Sequence, residues 1–156
     1  MVAMPVLKPL HLEAGLRDLI VSTYQATSGA GLAGVQELSE QILESGDTAI
    51  DLTHDGQAIT FSPGNSFPEP IAFNVVPFCG SLIEDELEET NEERKLRDES
   101  RKILEIDDLS VTATCVRVPV YTGHSLAITA GFQNPITAQR VKDILSNVSA
   151  VILEDI

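Results

Sequence analysis

Two ionisable side chains, Arg117 and His124, stand in an otherwise apolar and β-branched stretch, TCVRVPVYTGHS. A guanidinium is planar, always charged and suited to gripping a carboxylate through two parallel hydrogen bonds. An imidazole exchanges protons near neutral pH and serves as general acid or base. On an unbroken strand the pair would point to opposite faces, because side chains alternate and the two are seven positions apart. Pro119 and the Thr122-Gly123 pair predict a break, and a bend there would bring both side chains to one side. A solitary histidine is more often a satisfied structural group than a catalyst, so the case depends on that bend.

GAGLAG, Gly29 to Gly34, matches the G-x-G-x-x-G pattern of dinucleotide-binding turns, with Asp51 further on. Such a fold needs further strand–helix units, and the turn-rich segment that follows supplies none. The pattern is therefore read as a glycine turn packing a strand against a helix, not as a pyrophosphate cradle. Glu92, Lys95, Glu99 and Lys102 recur three and four residues apart. Spacing alone favours a solvated, ion-paired helix flank, each pair contributing about 0.2–0.5 kcal/mol; the functional alternative has Lys95 meeting an anion. His11 and His54 are expected to be structural or exposed, and Cys79 and Cys115 to be buried thiols in apolar strands. No spacing of His, Cys and acidic residues suggests a metal site.

The elements that must position these groups follow from periodicity. MVAMPVLKPLHLEAG has helical apolar spacing at Val2, Met4 and Val6-Leu7, and Leu19 to Tyr24 reads as a strand. Val35, Leu38, Ile42 and Leu43 predict a helix stripe that Gly46 ends. The segment from Asp47 to Pro70 is rich in turn residues, with short strands at most. IAFNVVPFCGS reads as a buried strand closed by Pro77 and Gly80. A charged helix is expected from about Thr90, with Leu96, Ile103 and Leu104 as its apolar stripe. DLSVTATCVRVPV and HSLAITAGFQ predict two strands around Thr122-Gly123, and Thr137 is a candidate N-cap for a last amphipathic helix. The expected class is α+β, a mixed or largely antiparallel sheet with helices packed on one face.

With 156 residues the chain is sized for one domain, and 24 acidic against 10 basic residues give a net charge of −14. That balance argues against nucleic acid and anionic membrane surfaces as partners. No apolar run is long enough to span a bilayer, no secretory signal is visible, and two cysteines make no disulfide framework, so a cytoplasmic location is expected. The opening is apolar without an N-cap and the closing SAVILEDI has no terminator, so both ends are expected to be cuts in a longer protein.

Five stretches in order, MPVLKPLH, STYQATSGAGLAG, IAFNVVP, EERKLRDESRKIL and TATCVRVPVYTGHS, carry a resemblance over essentially the whole chain. They resemble the C-terminal, substrate-binding and dimerisation domain of bacterial aspartate-semialdehyde dehydrogenase. The resemblance implies a fold like the C-terminal domain of glyceraldehyde-3-phosphate dehydrogenase, spanning residues 1–156 and truncated at both ends. It implies NADP-dependent reductive dephosphorylation of L-aspartyl 4-phosphate to L-aspartate 4-semialdehyde and phosphate, on the route to lysine, threonine and methionine, by a homodimer or higher homo-oligomer.

The same resemblance assigns roles. His124 becomes the acid/base residue, Arg117 the grip on the substrate α-carboxylate, Lys95 the phosphate contact and Glu92 the contact to the α-amino group. Gln25 orients the acyl intermediate, and Ser28 and Gly29 touch the nicotinamide end of NADP, which is bound mainly by a separate domain. The family's cysteine nucleophile sits in an Asn-Pro-Asn-Cys-type turn just before the helix that opens this chain. Neither Cys79 nor Cys115 matches it. Alone, the chain is expected to be inactive; the rival expectation is a non-catalytic dimerisation module or decoy subunit.

Overall fold

The computed structural model describes residues 2–84 and 86–154. Met1, Asp85 and the last two residues, which close SAVILEDI, lie outside the described residues. The elements in chain order are helix α1 (Met4–Ala14), strand β1 (Leu16–Gln25), a 3-10 turn (Thr27–Ala30) and helix α2 (Gly31–Ser45). A second 3-10 segment (Gly46–Thr53), helix α3 (Asn91–Leu104), strands β2 (Ser110–Arg117) and β3 (Ser125–Phe132) and helix α4 (Ala138–Leu145) complete them.

The three strands form one sheet in the order β2-β1-β3. Its pairing is mixed. Val116 N–H donates to Thr23 Oγ1 and Val118 N–H to the Gln25 carbonyl, so β2 advances with β1. On the other side Gln133 N–H reaches the Gly15 carbonyl while His124 lies at Ala26, so β3 runs against it. The two strands flanking Thr122-Gly123 are therefore not a hairpin, because β1 lies between them. Gly123 has φ 88°, the left-handed region that glycine enters without a Cβ clash.

The chain divides into two compact units. The first comprises Met1–Ser22, Leu82–Thr114 and Leu126–Ile156. Within it α1 packs on α3 and α4, burying Leu7, Leu10, Leu96, Leu104 and Leu145. Lys8 Nζ donates to the Ile103 and Leu104 carbonyls at 3.3 and 3.2 Å, satisfying groups that a helix C-terminus leaves open. Helix α3 starts where the sequence predicts. Thr90 is its N-cap, and Thr90 with Glu93 forms a reciprocal capping box. Thr137 caps α4 through Arg140 N–H. His11 is structural, its Nδ1 accepting the Leu16 N–H at 3.0 Å.

The second unit comprises Thr23–Ser81 and Cys115–Ser125. Leu38 of α2, Ile71, Ala72 and Val76 form its core, with Phe61, Phe67 and Phe78 packed against them. Two expectations need correction here. The buried face of α2 holds Gly34, Glu37, Leu38, Gln41 and Ser45, whereas Ile42 and Leu43 of the predicted stripe are exposed, Leu43 at 78%. The polar side chains face inward because they serve main-chain groups: Gln41 Oε1 accepts the Ile71 and Ala72 N–H at 2.8 and 2.9 Å. IAFNVVPFCGS is not a strand but a single antiparallel bridge, Val76 to Arg117. Phe73 has φ 57°, and Pro77 brings no N–H, so a ladder cannot extend either way. Cys79 and Cys115 are both buried, as expected.

Candidate active site

Strand β2 ends at Arg117, and the segment that follows arches over the end of β1. Thr27 N–H donates to the Val120 carbonyl at 2.8 Å and Ser28 N–H to that of Tyr121 at 3.1 Å. This is the bend that Pro119 and Thr122-Gly123 predict, and it brings Arg117 and His124 onto one residue. Ala26 N–H donates to His124 Nδ1 at 3.0 Å. The Ala26 carbonyl accepts from Arg117 Nη1 at 2.7 Å. One peptide neighbourhood thus fixes both groups.

Gly29 completes the corner. A Cβ there would lie 2.8 Å from Arg117 Nη1, too close to leave the guanidinium where it is, and 3.4 Å from Cε1 and Nε2 of His124, an ordinary contact. Arg117 is 6% exposed, its guanidinium carbon 5.6 Å from the centroid of the Phe67 ring. Its main chain exchanges both hydrogen bonds with Val76, at 2.7 and 2.9 Å. Arg117 Nε is buried and has no acceptor among the described residues. A buried donor left unpaired costs about 1–3 kcal/mol, a common mark of a functional group. His124 is exposed. Because its Nδ1 accepts a hydrogen bond, its neutral form carries the proton on Nε2, the edge facing Gly29.

Gln25 is buried at the end of β1, and Ser28 and Gly29 are exposed on the 3-10 turn. Five of the predicted residues, Gln25, Ser28, Gly29, Arg117 and His124, thus belong to the second unit. Glu92 and Lys95 belong to the first, on α3, paired with each other at 3.5 Å. That pair matches the ion-paired flank expected from spacing. Ala26 and Phe67 carry no signal of a functional role in the sequence. Ala26 acts through its peptide, which no residue type reveals, and Phe67 lies in a turn-rich segment with no periodic signal. Among the described residues no group of three or more His, Cys, Asp or Glu side chains could hold a metal ion. No described helix is long and apolar enough to cross a membrane.

Residues 7–156 match the semialdehyde dehydrogenase dimerisation domain. This chain belongs to that family. It is 56% identical over 156 residues to the aspartate-semialdehyde dehydrogenase of Streptomyces akiyoshiensis, covering all of this chain and 46% of that protein. Against the aspartate-semialdehyde dehydrogenase of Mycolicibacterium smegmatis it is 54% identical, covering 45% of that protein. Aspartate semialdehyde dehydrogenase II complexed with ASA from Vibrio cholerae is similar in structure, with a TM-score of 0.80 at 34% identity over 94% of this chain and 40% of that one. The aspartate semialdehyde dehydrogenase with NADP from Candida albicans aligns with a TM-score of 0.53 at 26% identity, over 92% of this chain and 32% of that one. The dimerisation domain described here thus spans less than half the length of these relatives.

Ser28 N–H and Gly29 N–H donate to the Tyr121 and Ala26 carbonyls, so these two are not free to cradle a phosphate. What the turn offers beside His124 is a small exposed Ser-Gly edge.

Proposed function

We propose that this chain is the substrate-binding and dimerisation part of an NADP-dependent aspartate-semialdehyde dehydrogenase. Its substrates are then L-aspartyl 4-phosphate in one direction, and L-aspartate 4-semialdehyde with phosphate in the other. The observation that carries this reading is the Ala26 corner: a buried arginine with an unpaired donor and an exposed histidine, fixed by the main chain of one residue against a glycine. Nothing in folding alone calls for that combination.

Arg117 binds the α-carboxylate, and the carboxylate supplies the acceptor that its guanidinium lacks. Gln25 orients the acyl group, Lys95 meets the phosphate and Glu92 the α-amino group. Ser28 and Gly29 flank NADP, which supplies the hydride when bound. His124 presents Nε2–H to the reacting oxygen as a hydrogen-bond donor. Giving up a full proton requires a charged ring, and Nδ1–H would then oppose the Ala26 N–H; that contact loosens in the acid step. The cysteine that forms the thioacyl intermediate comes from outside these residues, since Cys79 and Cys115 are both buried.

Phosphate-dependent NADP reduction with L-aspartate 4-semialdehyde tests the proposal. The chain alone gives no turnover, and turnover appears when it is combined with a cofactor-binding half carrying the cysteine. Activity of the chain alone overturns the assigned division of labour. A combined sample that is assembled yet inert favours the decoy reading instead.

A further inference from the structure

The inward-facing polar side of α2 holds the segment that carries Phe67. Glu37, 9% exposed, accepts the Asn65 and Ser66 N–H on Oε2 at 3.1 and 2.8 Å, and Gly64 lies flush against the same carboxylate. Gln41, one turn along, holds Ile71 and Ala72 in the same way. The chain between residues 64 and 72 is thus tied to α2 at both ends. Phe67 follows directly on the first tie. Its ring tip lies close to Gly34, where a Cβ would lie 3.0 Å from Phe67 Cζ, and its face meets the Arg117 guanidinium.

We propose that Glu37 and Phe67 are positioning residues for substrate recognition, fixing the Arg117 guanidinium for a ligand carboxylate. A buried carboxylate is costly unless its charge is met by donors, and here the donors are the main-chain N–H groups of the turn leading into Phe67. The ring then limits the guanidinium's rotation, which Nη1 to Ala26 alone does not do. The inference rests on the reading that Arg117 takes the substrate carboxylate, and the test separates the two.

The probes are L-homoserine, the stable alcohol of the semialdehyde skeleton, and 3-amino-1-propanol, which lacks only the carboxylate. Arginine side-chain N–H signals of this chain report binding by NMR. In the unaltered chain L-homoserine shifts the Arg117 Nε–H signal and 3-amino-1-propanol does not. Phe67→Leu and Glu37→Ala weaken L-homoserine binding about fivefold or more, within reach of a lost cation–π contact, while Phe67→Tyr, which keeps the ring face, and Glu37→Gln, which keeps an acceptor oxygen for both N–H groups, bind as before. If the folded fraction of Phe67→Leu and of Glu37→Ala binds L-homoserine normally while Arg117→Lys does not, Glu37 and Phe67 only support the fold and the inference is wrong. If Arg117→Lys binds as well as the unaltered chain, the carboxylate role of Arg117 fails, and the inference with it. Where Phe67→Leu does not fold, the folded fraction of Glu37→Ala decides, with Glu37→Gln as its control.

Discussion

Residue-scale function here depends on an absent side chain as much as on present ones. Gly29 has ordinary backbone geometry, so alanine would not strain the chain; it would displace Arg117, whose Nη1 stands 2.8 Å from the new methyl. Misplacing a binding group by about 1 Å costs on the order of a hundredfold in rate. Gly29→Ala is therefore expected to lower kcat/KM of the assembled enzyme roughly that much, with a thermal midpoint close to the parent's; steady-state kinetics and calorimetry on one preparation check both. The sequence revealed half of this corner. Arg117 and His124 were legible by type, and the bend between them by Pro119 and Gly123. Ala26 was not, because its contribution is an N–H and a C=O that every residue except proline possesses.

At the scale of elements, helix ends were read best, since caps are local and depend on few residues. The start of α3 near Thr90 and the Thr137 cap of α4 form as the letters predict, and the structure adds the Thr90–Glu93 capping box. Removing the first cap in Thr90→Ala is expected to cost about 1 kcal/mol, seen as a lower urea midpoint with an unchanged slope. Helix α2 departs from the stripe its apolar spacing predicts, because some of its polar side chains have inward partners. Glu37 and Gln41 serve a loop with no ladder of its own.

The α1–α4 contact gives a pH test. The hydrogen bond from Arg140 holds the Glu13 carboxyl below the usual 4.5, with the arginine's charge adding to it. A carboxyl depressed on folding stabilises above its unfolded value, and the effect disappears as pH falls through the folded one. The stability gap between the parent and Glu13→Gln should therefore be present at pH 6 and close in acid below 4.5; urea titrations at both pH values measure it.

At the scale of the molecule, apolar groups and charge pull in opposite directions. Ile20 on the outward side of β1 is 56% exposed, and Leu32 and Leu43 of α2 are exposed at 72% and 78%. A dimerisation domain that pairs with a second copy covers such surface, yet each copy carries a net charge of −14. Salt screens like charges over about 10 Å at 0.1 M, so self-association is expected to strengthen from low to moderate ionic strength. Ile20→Glu should shift sedimentation toward the 16.8 kDa monomer at every salt concentration. An association that weakens with salt, or ignores Ile20→Glu, would place the contact elsewhere.

The corner at Ala26 also bears on how this site can drift over evolutionary time. Its two decisive contacts come from main-chain groups, so change at this position is limited by the size of a fully buried side chain and by proline's missing N–H rather than by the contacts themselves. A conventional alanine scan would pass over the position altogether. An ester in place of the Gln25–Ala26 amide, introduced by chemical synthesis, removes the donor to His124 and weakens only one other contact, the Gln25 carbonyl that accepts the Val118 N–H.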